Sequence, residues 1–266
     1  MNKFDSSKVP DYMEWAACKD KKFLVIGAGQ GIGRQVSHAL AAAGAKLICV
    51  DINPELAEYV AGEVNGIAWS GDMTLRQDVE RLLIESIDKL GRVDGFVDIV
   101  GIAAWADLLT IDDETWQAQL DINLRHAFLL CQIMAPNMIE NGGGTMLFIG
   151  SASGISSGPN HAAYASAKAG LMSLMRSIAV EMGPRGIRAN SIAPGVVATP
   201  RVLSFTSKEQ QQMNAENTPL GRVGKPEDIA AAALFFMSNL SGYVSGQTLQ
   251  IDGGVSAKFP YPVLGS

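Results

Sequence analysis

The chain has 266 residues, 47% of them hydrophobic and 18% charged, enough to bury a full core in one α/β domain. A formal net charge of −6 with no polybasic run argues against nucleic acid or an anionic membrane surface as a partner. Cys18, Cys49 and Cys131 lie far apart without metal-ligand spacing, which argues against a metal site and a disulfide framework and points to a reducing, cytoplasmic compartment.

Residues 1–20 are polar, with Pro10 and scattered aromatics, and read as an N-terminal arm without the apolar run of a signal peptide. The folded domain is expected over 21–256 and a tail over 257–266. "KKFLVIG" (21–27) starts the first strand, an alanine-rich helix follows at 31–43, and "KLICVD" (46–51) is the second strand. Further strands are expected near 67–70, 94–100, 145–150, 187–193 and 247–251, with helices near 54–64, 74–90, 113–139, 162–183 and 226–238. Short, nearly continuous apolar strands alternating with longer helices predict an α/β fold, a parallel sheet covered on both faces. Only 199–218, "TPRVLSFTSKEQQQMNAENT", breaks the pattern; it is polar, Gln-rich and weakly helical, and reads as an irregular lid or substrate loop. The most apolar stretch, "IAAAALFFM", is too short to span a bilayer.

"FLVIGAGQGIGRQV" reads strand, tight turn, helix. Gly27, Gly31 and Gly33, with Gln30 and Ile32 between them, let the backbone approach a pyrophosphate at a helix N-terminus. An ordinary strand-to-helix turn is the alternative. Asp51 closes the second strand, where a carboxylate accepts from adenosine ribose hydroxyls and repels a 2′-phosphate. It also suits the N-cap ahead of Pro54. No basic residue stands in the glycine turn or after this strand, and Arg34 lies just beyond the turn; the balance favours NAD over NADP. Ile52 is the neighbouring contact. Asp72, beside Met73 after the third strand, caps the next helix or meets the adenine.

Tyr164 and Lys168, in "HAAYASAKAG", share a helix face at i and i+4. A free phenol is a poor base at neutral pH, but a neighbouring ammonium favours the phenolate. The pair could then remove a proton from an alcohol or return one to a ketone. Ser151, past the strand "TMLFIG", either holds the substrate oxygen or is one hydroxyl of a serine-rich loop. Asn123, inside the expected 113–139 helix, marks either a kink with a water site or a polar helix face.

Together these residues resemble the short-chain dehydrogenase/reductase family, over Phe23 to about Val255. The match includes "GAGQGIG", Asp51, "GDMT", Asn123, Ser151, "YASAK", "NSIAPGVVAT" and "SGQTLQIDGG". The resemblance implies a single-domain Rossmann fold with a doubly wound, seven-stranded sheet. It implies Tyr164 as general acid/base, Lys168 on the nicotinamide ribose, Ser151 orienting the substrate, and Asn123 holding a water in a relay to Lys168. Pro194, Gly195, Val197 and Thr199 would lie along the nicotinamide. Two positions depart from the family pattern: Ile26 replaces the usual Thr, and "DIVG" (98–101) replaces "NNAG". Ile99 cannot make an amide bond and Asp98 brings a charge that needs a partner, so only Val100 and Gly101 are kept there as cofactor neighbours.

His161 faces the substrate or is a loop residue near a helix start, and Arg201 meets an anionic substrate or is solvated. Ile102 and Ser153 complete the expected substrate contacts. His38 and His126 are expected as surface or packing residues, and Trp105 and Trp116 as packing, with Trp105 able to reach the pocket mouth. The expected activity is NAD-dependent interconversion of a secondary alcohol and its ketone, with no metal. A 3-oxoacyl thioester reductase and a catalytically silent NAD-binding sensor are the rivals. The family resemblance implies a homotetramer, with a dimer as the alternative.

Overall fold

Seven apolar runs form β1 (Lys22–Ile26), β2 (Lys46–Asp51), β3 (Ile67–Ser70), β4 (Gly95–Asp98), β5 (Gly144–Ile149), β6 (Ile187–Pro194) and β7 (Thr248–Ile251). The computed structural model describes residues 7–259; residues 1–6 and 260–266, part of the expected arm and most of the expected tail, lie outside the described residues. All neighbouring strands are parallel, in the order β3-β2-β1-β4-β5-β6-β7. This is the doubly wound α/β sheet expected from the alternation of strands and helices. The chain reverses its direction of travel across the sheet between β1 and β4, so the crevice at the carboxyl ends of these strands is where such folds hold ligands.

The helices are α1 (Tyr12–Ala16), α2 (Gly31–Ala42), α3 (Pro54–Glu63), α4 (Arg76–Leu90), α5 (Asp113–Leu120), α6 (His126–Glu140), α7 (Ala162–Met182), α8 (Pro200–Phe205), α9 (Lys208–Asn217) and α10 (Pro226–Met237). The strand pleat divides the core into two layers. Leu24 and Ile26 of β1 pack with Val79 and Leu82 of α4, Leu130 and Met134 of α6 and Leu171 of α7. Phe23 and Val25 face the other way, with Val36 and Leu40 of α2, Val60 of α3 and Ile229 and Phe236 of α10. Burying each such side chain contributes about 1.5–3 kcal/mol, so both faces must be covered for the sheet to hold. All three cysteines are buried thiols. Among the described residues no helix is long and apolar enough to cross a membrane.

Three expectations change here. The expected 113–139 helix is two helices joined by a π-helical turn, Asp121–Arg125, centred on Asn123. The 199–218 segment is not irregular: it holds α8 and α9. Thr199 caps α8 ahead of Pro200, and Ser207 with Gln210 forms a reciprocal capping box on α9. Asp51 does not cap α3; Asn53, directly before Pro54, accepts from the Glu55 and Leu56 N–H groups instead.

Candidate active site

The glycine turn is built by close approach. Gly27 has φ +85°, a left-handed conformation costly for a residue with a Cβ, and it sits over Ile99. A Cβ on Gly33 would lie 1.9 Å from the Gly27 carbonyl oxygen, so only glycine lets α2 start against β1. No side chain caps α2, so its first-turn N–H groups remain available to an anion at the turn. Gly33 is buried and Gly31 half-buried, neither lining the cleft, whereas Gly27, Gln30 and Ile32 line it. Asp51 organises the turn from the next strand, since its Oδ2 accepts from the Gly29 N–H at 2.9 Å and its Oδ1 from the Asn53 N–H at 3.0 Å.

One cleft of ≈ 1060 Å³ runs from this turn across the ends of β1, β4, β5 and β6. It brings together Asp51, Ile52, Asp72 and Met73 at one side, Val100 and Gly101 at the switch point, and Pro194, Gly195, Val197 and Thr199 after β6. Ser151, Tyr164 and Lys168 line the same cleft, as do Ile102, Ser153, His161 and Arg201. A second hollow of ≈ 520 Å³ opens elsewhere, around Lys21, Asp94 and Arg188, and none of the expected site residues lines it. Asp72 does not cap α4; its Oδ1 accepts from the Thr74 N–H and hydroxyl. Arg34 does not reach the cleft, because two 2.7 Å bonds tie its guanidinium to Glu63, which also holds His38.

Lys168 is buried, and its Nζ donates to the Ile149 carbonyl at 2.8 Å and the Val100 carbonyl at 3.4 Å. Burial pulls its pKa down to about 8, against the opposing pull of the Asp98 carboxylate. The Nζ lies 5.9 Å from the Tyr164 ring centre. Tyr164 differs from expectation: burial raises its pKa above the usual phenol value, and only its interaction with Ser151 acts to lower it. Gly101 packs directly on this group, where a Cβ would lie 2.6 Å from Lys168 Nζ and 2.9 Å from Asn123 Oδ1.

Asn123 is fully buried and does not line the cleft. Its Oδ1 accepts from the Ile102 N–H, and its Nδ2 donates to the Ile102 and Gln119 carbonyls, each at 3.0 Å. The π-helical turn thus fixes the backbone that follows Gly101. Gln119, which sequence reasoning missed, extends the clamp by accepting from the Ala104 N–H at 3.1 Å. His161 stacks on Trp105 with ring centres 3.8 Å apart and lies 5.8 Å from the Tyr164 ring; its Nδ1 is 3.4 Å from Ser153 Oγ. Burial lowers its pKa and so favours the neutral ring. Trp105 is not packed away but exposed at the cleft. Phe205 of α8 and Met213 of α9 also line it, an apolar contribution hidden in a polar stretch of sequence.

The family model described as Enoyl-(Acyl carrier protein) reductase matches residues 27–256. The 3-oxoacyl-[acyl-carrier-protein] reductase FabG of Thermotoga maritima is 34% identical over 240 residues, 88% of this chain and 97% of that protein. The chain belongs to the short-chain dehydrogenase/reductase family. The 7alpha-hydroxysteroid dehydrogenase of Escherichia coli K12 is 35% identical over 236 residues, 87% of this chain and 92% of that protein. A solved structure of a 7alpha-hydroxysteroid dehydrogenase, complexed with NADH and 7-oxo glycochenodeoxycholic acid, superposes with a TM-score of 0.88. It is 34% identical and covers 92% of this chain and 98% of that one. By their names these short-chain dehydrogenase/reductase relatives are oxidoreductases, some of ketones and some of alcohols.

Proposed function

We propose that the protein is an NAD-dependent oxidoreductase that interconverts a secondary alcohol and its ketone. The observation that carries the reading is the convergence of Ser151, Tyr164 and Lys168 on one cleft whose opposite side ends in Asp51. Bound there, the nicotinamide supplies the hydride acceptor and a positive charge. Ser151 donates to the substrate oxygen, and Tyr164 takes the alcohol proton or returns it. Lys168 holds the nicotinamide ribose, and its ammonium favours the phenolate. Asn123 fixes the Gly101–Ile102 backbone beside Lys168. The supporting relative is the hydroxysteroid dehydrogenase solved with NADH and a ketone.

Asp51 supports NAD over NADP, and so does the engagement of the arginine near the turn, Arg34, with Glu63. A 2′-phosphate facing a carboxylate at about 4 Å meets a repulsion of ~1–4 kcal/mol. Asp51→Asn keeps an acceptor for the Gly29 N–H and removes the charge. It is expected to raise NADPH affinity relative to NADH about tenfold, read by fluorescence titration. An unchanged ratio would remove Asp51 from the selectivity argument.

The substrate wall joins Ile102, Trp105, Val202, Phe205 and Met213 to Ser153 and His161, which suits an apolar alcohol with few polar groups. Arg201, which has no carboxylate partner among the described residues, suits an anionic substituent on it. A screen of secondary alcohols with NAD, followed by NADH absorbance, tests the activity; no turnover across alicyclic, steroidal and aliphatic members would defeat the reading. The similarity to the Thermotoga maritima protein favours a 3-oxoacyl thioester reductase as the second reading, and a strong NADPH preference would select it. Self-association as a homotetramer belongs to the same reading. Exposed Phe128 on α6, Val180 on α7 and Leu249 on the edge strand β7 support it, and sedimentation velocity tests it.

A further inference from the structure

The departure at "DIVG" places a carboxylate at the end of β4, inside the protein. Asp98 is 1% exposed. Its Oδ1 accepts from the Val100 N–H at 3.2 Å, and its Oδ2 lies 2.9 Å from His126 Nε2. His126 is 0% exposed, the packing alternative of the two expected, and is the first residue of α6, directly after the π-helical turn that carries Asn123. Its Nδ1 is buried with no hydrogen-bond partner. The neutral tautomer with its proton on Nε2 fits this pattern. That nitrogen donates to Asp98 and leaves Nδ1 a bare acceptor, whereas an imidazolium would bury an unpaired N–H as well. Asp98 is thus engaged at both carboxylate oxygens, by the Val100 N–H and by His126.

Val100 links this charge to Lys168. Its N–H donates to Asp98, and its carbonyl accepts from Lys168 Nζ. We propose that Asp98, held by His126, is a positioning residue that keeps Lys168 charged in its buried setting and ties the end of β4 to the turn carrying Asn123.

The inference rests on the reading of Lys168 as the group that holds the cofactor ribose. Of the titratable groups, Asp98 on the β4 end acts on Lys168 through its charge, and Tyr164 on the same helix has its ring centre 5.9 Å from Nζ, while His126 and Cys131 of α6 interact with Asp98. Burial, and to a lesser degree the field of Asp98, pushes the Cys131 thiol up, so it adds no charge. Burial lowers the Lys168 pKa to about 8, and among the described residues the charge of Asp98 opposes that shift.

The test is NADH affinity by fluorescence from pH 6 to 10. In the wild-type chain affinity falls as Lys168 loses its proton. Asp98→Asn keeps the shape and an acceptor but removes the charge; its midpoint is expected to move about one pH unit or more toward acid, with affinity near wild type at pH 6. A merely structural role would lower the melting temperature and leave the midpoint in place, and that result would overturn the proposal. Asp98→Asn combined with His126→Gln, whose amides can pair, must give the same shift, including where the single variant does not fold. Lys168→Met separates the two readings. If wild-type pH dependence survives in it, the cofactor role of Lys168 fails; if it vanishes in Lys168→Met but Asp98→Asn does not shift it, only the present proposal fails.

Discussion

Tyr164→Phe is expected to lower kcat by about 10²–10⁴-fold while NADH affinity stays within about twofold. The change removes one oxygen from a residue that lines the cleft beside Ser151 and Lys168. Phenylalanine keeps the ring and its contact with His161, so the cofactor surface is little disturbed. What it loses is the hydroxyl that the proposed mechanism uses to exchange a proton with the substrate oxygen. The loss corresponds to about 2.7–5.5 kcal/mol of transition-state stabilisation. Tyr164 also starts from an unfavourable position, since burial raises its pKa. Positive charge from Lys168 and from an oxidised nicotinamide is needed to reverse this, so alcohol oxidation should require the two together. The measurement is steady-state turnover of the best alcohol from the screen, paired with NADH titration. A decrease of less than about tenfold would assign the proton transfer to another group. A silent sensor would show no turnover in either chain and equal cofactor binding.

Gly33→Ala carries the largest expected cost to the fold. Its Cβ would meet the Gly27 carbonyl oxygen at 1.9 Å and the Ala28 Cα at 2.8 Å. Both are backbone atoms of the tight turn, so neither can swing aside as a side chain does. The start of α2 must lift from the end of β1, which costs about 1–3 kcal/mol or more. For a chain of this size the melting temperature should drop by roughly 2–12 °C. NADH affinity should fall at least about tenfold, because the N–H groups of α2 move off the phosphate position. Gly62 is the control: it lies in α3, and a methyl added there would meet nothing within 4 Å, so Gly62→Ala should be neutral or stabilise by up to about 1 kcal/mol. Equal behaviour of the two variants, by thermal melts and titration, would refute the packing argument.

The strands are legible in the sequence because each is a short apolar run, and the observed bounds of β3, Ile67–Ser70, match the expected ones. The glycine turn, Asp51 and the Tyr164–Lys168 spacing are legible for the same reason: they are local patterns. What escapes the sequence depends on distance or on burial. The His126–Asp98 pair joins residues on different elements, 28 positions apart, so nothing local to His126 announces its partner. The π-helical turn at Asn123 lies inside an otherwise continuous helical pattern, and only the asparagine itself hints at it. Burial also decides the direction of the Tyr164 shift, whereas sequence shows only the neighbouring charge. By contrast, α8 and α9 have readable start signals in Thr199-Pro200 and in Ser207 with Gln210 three residues on. The low hydrophobicity of the segment masks them.

The α8–α9 cover begins and ends on fixed points. Thr199, its first anchor, lies 3.2 Å from the Cβ position of Gly31, and Thr218, its last, packs beneath Gly253. Between those anchors the segment adds Val202, Phe205 and Met213 to the cleft wall, and it carries none of the residues to which the proposed mechanism gives proton transfer. On the proposed reading, this segment shapes the pocket independently of Ser151, Tyr164 and Lys168. Under that reading, trading its interior for another pair of short helices would change which alcohol fits while Ser151, Tyr164 and Lys168 stay in place.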